Sequence, residues 1–123
     1  MMPHPRDETR EERIQSEILV DAYGPEEQAS SWYTYLEGSL TFPFLARCVA
    51  ERAISPLRTG DEVEIVGMGP ELECRHEMFV LTPWDHGRAL AIPLSQLAGL
   101  DTDEPTAEAI EDWQYWVRCG YEL

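Results

Sequence analysis

The sequence contains no lysine: its nine basic residues are all arginine, set against 24 acidic residues for a formal charge of −15. A surface that tracks nucleic-acid phosphates needs a field of cations, so this balance excludes nucleic acid as a partner and disfavours anionic membranes. No apolar run approaches the length of a membrane span, and the segment Met1 to Arg6 has no apolar core of a signal peptide. The expected location is cytoplasmic. Cysteine is scarce and unpaired in pattern: Cys48, Cys74 and Cys119 are odd in number, with no C-x-x-C, and they read as reduced, partly buried apolar residues. They share no ligand spacing with His76 or His86 of the kind zinc requires. Nucleophile-elbow, zincin, P-loop and dinucleotide motifs are all missing, so the chain does not read as an enzyme. The adjacent His76 and Glu77, placed on a strand, would face opposite ways and make no acid/base dyad.

What is present fits a single domain over residues 1–123, long enough to bury one core, with residues 1–6 frayed. A helix is expected from Asp7, an N-cap, with Ile14, Ile18 and Ala22 on one face and Leu19 beside it. Its other face mixes Glu8, Arg10, Glu11, Glu12 and Arg13 and reads as solvated. Gly24-Pro25 stops this helix and opens a second, because proline costs nothing in a first turn. In the second helix Ala29, Trp32, Tyr33 and Leu36 recur at i, i+3, i+4 and i+7, which makes a core stripe. Beyond Gly38, Pro43 forces Phe42 into an extended conformation and a β region begins. Strands are expected over 45–51, over 62–66 by strict alternation, over 73–82 with a bend, and over 88–94, with Gly67-Met68-Gly69-Pro70 as a loop. Leu94 to Leu97 reads as a short helical turn. A final amphipathic helix carries Ala109, Ile110, Trp113, Trp116 and Val117 inward and ends at Gly120. The aromatics Trp32, Tyr35, Trp84, Trp113 and Trp116 all read as core. The expected architecture is α+β: a small antiparallel meander or SH3-like barrel flanked by two N-terminal helices and one C-terminal helix.

The uncompensated carboxylates are the candidate chemistry. Asp21, Glu26, Glu27 and Glu37 have no nearby arginine in sequence, and such oxygens suit a hard cation, above all Ca²⁺ with its six to eight oxygen ligands in flexible geometry. The EF-hand pattern D-x-D/N-x-D/N-G-x₅-E has no match, so ligands would come from irregular loops. Three groups are possible: Asp21 with Glu26 or Glu27 at the Gly-Pro corner, Glu37 with the loop holding Ser39 and Thr41, and Asp101 with Asp103 and Glu104. Glu26 and Glu37 cannot share an ion, lying roughly 16 Å apart along one helix axis. Glu26, Glu27 and Asp103 have a plain alternative role in first turns, where acids favour the helix dipole and Asp103 or Thr102 can cap. Glu37, at the negative end of its helix, has no such role. The acidic excess also has a plain alternative, solubility in a salty cytosol, and a basic protein is a possible second partner.

Six blocks carry a resemblance: Ile18-Leu19-Val20-Asp21-Ala22-Tyr23, Trp32-Tyr33-Thr34-Tyr35-Leu36-Glu37, Phe42-Pro43-Phe44, His76-Glu77-Met78-Phe79-Val80, Pro93-Leu94-Ser95-Gln96-Leu97 and Glu111-Asp112-Trp113-Gln114-Tyr115-Trp116. In this order, over residues 8 to 121, they resemble the small acidic calcium-binding proteins of the CcbP type. The resemblance implies a bacterial, cytosolic, non-EF-hand Ca²⁺ binder, acting as buffer or sensor, with metal held by acidic loops and surface. It does not fix which positions ligate.

Overall fold

The computed structural model describes residues 7–123, so the expected frayed segment 1–6 lies outside the described residues. Asp7 caps the first helix, α1 (Glu8–Arg13), accepting a hydrogen bond from the Arg10 amide at 2.9 Å. The helix then widens into a π-helical turn, Ile14–Ile18, and stops there instead of continuing to Ala22. The Leu19 amide reaches the Ile14 carbonyl at 2.9 Å, five residues back. Ile14, Ile18 and Leu19 are all buried across this wider turn. Helix α2 (Pro25–Ser39) starts at Gly24-Pro25 as expected and buries Ala29, Trp32 and Leu36, with Tyr33 half-buried beside them.

Six short strands follow: β1 (Phe44–Cys48), β2 (Glu62–Ile65), β3 (Gly67–Met68), β4 (Phe79–Pro83), β5 (Ala89–Pro93) and β6 (Leu97–Leu100). They form two antiparallel three-stranded sheets, ordered β2-β1-β6 and β3-β4-β5. Only Val66 separates β2 from β3, and its amide donates to the Leu81 carbonyl on β4 at 2.9 Å, so one bent segment serves both sheets. The α+β class and the flanking helices match expectation, whereas the two sheets do not make a closed barrel.

Three strands differ from the sequence reading. Gly67 and Met68, expected in a loop, pair with Leu81 and Val80. The expected bent strand over 73–82 is a 3₁₀ turn, Glu71–Cys74, then irregular chain, then β4. Pro70 opens that turn and Cys74 Sγ accepts from the Phe79 amide at 3.4 Å, folding the segment inward where a strand would run on. His76 and Glu77 therefore lie on no strand; Glu77 makes a two-pronged ion pair with Arg52 at 2.6 and 3.0 Å. The 3₁₀ turn Leu94–Gln96 is where it was expected, and it leads into β6, which the sequence reading did not contain.

Helix α3 (Glu104–Arg118) packs its apolar stripe on α2 and on β6. Trp32 meets Trp113 edge to face with ring centroids 5.1 Å apart, and Trp113 stacks on Trp116 at 5.6 Å. Each such pair adds about 0.5–1.5 kcal/mol beyond its burial. Trp84 departs from the expected core role: it sits at the β4–β5 turn, 54% exposed. A polar seam holds α1 to α3. Asp112, fully buried, accepts from Tyr35 Oη at 2.6 Å, pairs with Arg10 at 3.2 Å and bonds Arg13. Glu11, also buried, accepts from Tyr115 Oη at 2.9 Å. Of the charged face of α1 expected to be solvated, Glu8 and Glu12 are exposed, whereas Arg10, Glu11 and Arg13 form an interface, because α3 brings them a carboxylate and a phenol that a solvated face would not have.

Candidate functional site

The exit of α2 and the start of α3 are stitched together by one carboxylate. Asp103, the N-cap of α3, accepts from the Thr106 amide at 2.9 Å through Oδ1 and from Thr41 Oγ1 at 2.8 Å through Oδ2. The Thr41 amide in turn donates to Thr106 Oγ1 at 2.9 Å. Hydrogen bonds from the Thr106 side chain and amide, and then from Thr41, hold the Asp103 carboxyl below the usual aspartate value. Asp103 is therefore a committed anion, and each of its oxygens keeps a lone pair for a further partner.

Asp101 is placed by the turn that precedes this cap. It takes a left-handed backbone at φ 51°, a conformation that aspartate tolerates better than most residues but still at a cost. The turn folds tightly onto β6: a Cβ at Gly99 would lie 2.9 Å from Thr102 Oγ1 and Cγ2, so glycine is what lets Thr102 sit there and swing Asp101 outward. From the other side β2 contributes Glu64, exposed and opposite Leu45 of β1. Thr41, Glu64, Asp101 and Asp103 thereby line one open cleft of about 310 Å³, whose apolar wall includes Pro43, Leu45 and Leu100. Among the described residues, no arginine or histidine lines it.

Of the candidate metal ligands grouped in the sequence, the fold brings Thr41, Asp101 and Asp103 to one cleft. Glu37, Asp21 and Glu26 lie elsewhere. Glu37 is exposed in the last turn of α2, where its charge, after burial, helps to raise the Tyr33 phenol above its ordinary value. Asp21 follows the π-helical turn at φ 60°, exposed, with Tyr23 Oη 3.4 Å from its Oδ1. Glu26 is exposed and lines a separate depression that Glu71 and Arg75 also line. Glu64 was missed, although the alternation over β2 already turned it outward. A further acidic hollow, lined by Glu17, Ser39, Glu104 and Glu108, contains Arg13, whose guanidinium lies 3.2 Å from Glu108. Its cation is therefore internal. Among the described residues, no three Asp, Glu, His or Cys side chains converge closely enough to hold one ion, so the cleft is an open arrangement of oxygens and not a tight cage.

The chain has close relatives of known structure. The crystal structure of Anabaena CcbP superposes with a TM-score of 0.85 at 39% identity over 100% of both chains. A structure described as a calcium binding protein in the calcium-binding form gives a TM-score of 0.81 at 41% identity over 96% of both chains. No curated protein matches. The sequence matches the family designated Calci_bind_CcbP, described as calcium binding, over residues 12–117. With most of its length inside that match, the chain belongs to the CcbP family of calcium-binding proteins.

Proposed function

We propose that this chain binds Ca²⁺ without an EF-hand, at the open cleft that Thr41, Glu64, Asp101 and Asp103 line. The observation that carries this reading is a shared lining: three carboxylates and a hydroxyl, drawn from three separate stretches of chain, border one opening that no arginine or histidine among the described residues lines. Carboxylate and hydroxyl oxygens are the donors a hard divalent ion takes, and Ca²⁺ accepts water in the remaining positions. Asp103, already oriented by Thr106 and Thr41, is the fixed member of the set. Asp101 and Glu64 are exposed and free to rotate toward an ion. An open, water-completed site of this kind favours Ca²⁺ over Mg²⁺, which demands near-octahedral geometry and dehydrates reluctantly.

The exposed carboxylates Glu37, Asp21 and Glu26 then act as separate, weaker points of attraction for cations. A buffering role in a reducing cytoplasm fits the free thiols of Cys48, Cys74 and Cys119. No described helix is long and apolar enough to cross a membrane. The test is calorimetric titration with Ca²⁺ and with Mg²⁺ at near-physiological ionic strength, on the parent and on Glu64→Gln. The expected result is tighter binding of Ca²⁺ than of Mg²⁺, weakened in the variant. Equal affinity for the two ions, unchanged in the variant, would reduce the effect to counterion condensation on an acidic surface.

A further inference from the structure

The cleft has a second character that a metal ion does not use. The outer face of sheet β2-β1-β6 is exposed at β1: Phe44, Ala46 and Cys48 are buried on one side of the strand, whereas Leu45 and Arg47 on the other are exposed. Leu45, in the middle strand, is 54% exposed, paired with Leu100 on one side and Glu64 on the other. With Pro43 they form an apolar floor beside Glu64, Asp101 and Asp103. Arg47, the next outward residue of β1, is taken by Glu62 at 3.1 Å. The face is therefore greasy in the centre and acidic at the rim, and the neighbouring Arg47 is already paired.

We propose that this face docks an extended basic segment of another protein, with apolar side chains on Leu45 and Leu100 and arginine or lysine side chains on Glu64, Asp101 and Asp103. Charge complementarity selects that occupant. A second copy of this chain would bring an identical acid rim and a charge of −15 of its own, which repels it. A nucleic acid or an anionic lipid surface is repelled in the same way. The rim steers a basic segment in, while the apolar floor separates docking from mere attraction to an acidic surface. Because the same carboxylates serve Ca²⁺ in the reading above, Ca²⁺ should displace the segment; this last clause alone rests on that reading.

The test uses the intact protein and two short synthetic peptides, one alternating leucine and arginine, the other alternating serine and arginine, titrated with a Ca²⁺ chelator present. The leucine–arginine peptide should bind about tenfold or more tighter, the effect of burying one leucine side chain. Leu45→Ser should remove that preference and Leu45→Met should keep it, with circular dichroism melting curves confirming that both variants fold. Equal affinity for the two peptides, or a preference that survives Leu45→Ser, overturns the proposal. Docking that follows this pattern but resists added Ca²⁺ supports the docking face and removes Ca²⁺ from this cleft. Ca²⁺ binding without the peptide preference does the reverse.

Discussion

Asp112 and Asp101 lie eleven positions apart, on the body of α3 and in the turn before it, and the fold treats them in opposite ways. Asp112 is fully buried and answered from within by Arg10, Arg13 and Tyr35. Asp101 is exposed, in a left-handed turn, and shares its cleft with two further carboxylates and, among the described residues, no arginine or histidine. A buried charge survives only when it is paired and hydrogen-bonded, so the first site spends its arginines on architecture. The second withholds them, and what it can attract must come from outside. In a chain with nine basic residues, where they are spent decides which carboxylates remain available.

The sharpest way to break this contrast is Asp112→Asn. Removing the charge leaves Arg10 and Arg13, each about three-quarters buried, facing a neutral amide, with the more exposed Glu111 and Glu108 still beside them. The expected cost is about 3–5 kcal/mol of folding stability, read by urea denaturation, as for other buried pairs that lose one partner. A loss as small as that of a surface substitution would show that the seam is solvated in solution.

Tyr35→Phe comes next, removing one hydrogen bond to a charged acceptor at a cost of about 1.5–3 kcal/mol. It also carries a pH signature. Burial, and then the hydrogen bond to Asp112, pushes the Tyr35 phenol up to about 12 from its ordinary 10.0. A folded value above the unfolded one means that the native state holds the proton longer. The stabilisation is complete below about pH 10 and is lost as pH rises toward 12. Denaturation curves across that window should fall less steeply for Tyr35→Phe than for the parent, and parallel curves would remove Tyr35 from the alkaline transition.

A smaller loss is expected from Asp103→Ala, which removes the cap of α3 and the tie to Thr41. Here the sign is the other way: the carboxyl lies below its ordinary value in the folded state, so its contribution is present above the unfolded aspartate value and disappears as pH falls through the folded one. Acid melting curves should show the parent's advantage over the variant shrinking in that range. Asp103 also belongs to the cleft, so Ca²⁺ binding should weaken together with the acid-side stability.

Much of this was legible in the sequence because it follows from local chemistry. Gly24-Pro25 marked a helix start, the 3.6-residue recurrence of Ala29, Trp32 and Leu36 marked a buried face, and the alternation from Glu62 marked β2. What stayed hidden depends on distant partners. Glu11, Arg10 and Arg13 have the pattern of a solvated helix face, and only the arrival of Asp112 and Tyr115 from about a hundred residues away turns that face inward. The strand β6 is four residues long and includes Gly99, a weak strand former, and it is held by pairing with β1. The cleft was half visible: Asp101 and Asp103 are neighbours in sequence, whereas Thr41 and Glu64 join them through tertiary folding. Exposed Trp84 was misjudged because an aromatic residue in a tight turn has no periodic partners to reveal which way it faces.

The smallest expected effect on stability is also the most informative about the cleft. Asp101→Asn keeps a side chain of the same shape in a backbone conformation that asparagine tolerates, and it removes only the charge. Because Asp101 is exposed, the substitution should cost the apo protein no more than about 0.5 kcal/mol. Asp101→Gly should be neutral or slightly stabilising in melting temperature, since glycine reaches φ 51° freely. Both variants should nevertheless lose about tenfold or more in Ca²⁺ affinity, because ligand charge count sets the strength of such sites. That combination is the mirror image of Asp112→Asn, where stability collapses and the cleft is untouched. If Asp101→Asn and Asp101→Gly bind Ca²⁺ as the parent does, the ion is held away from this cleft. The exposed carboxylate of Glu37, at the unfavourable end of α2, then becomes the next residue to neutralise, because a cation there would offset the charge of the helix terminus.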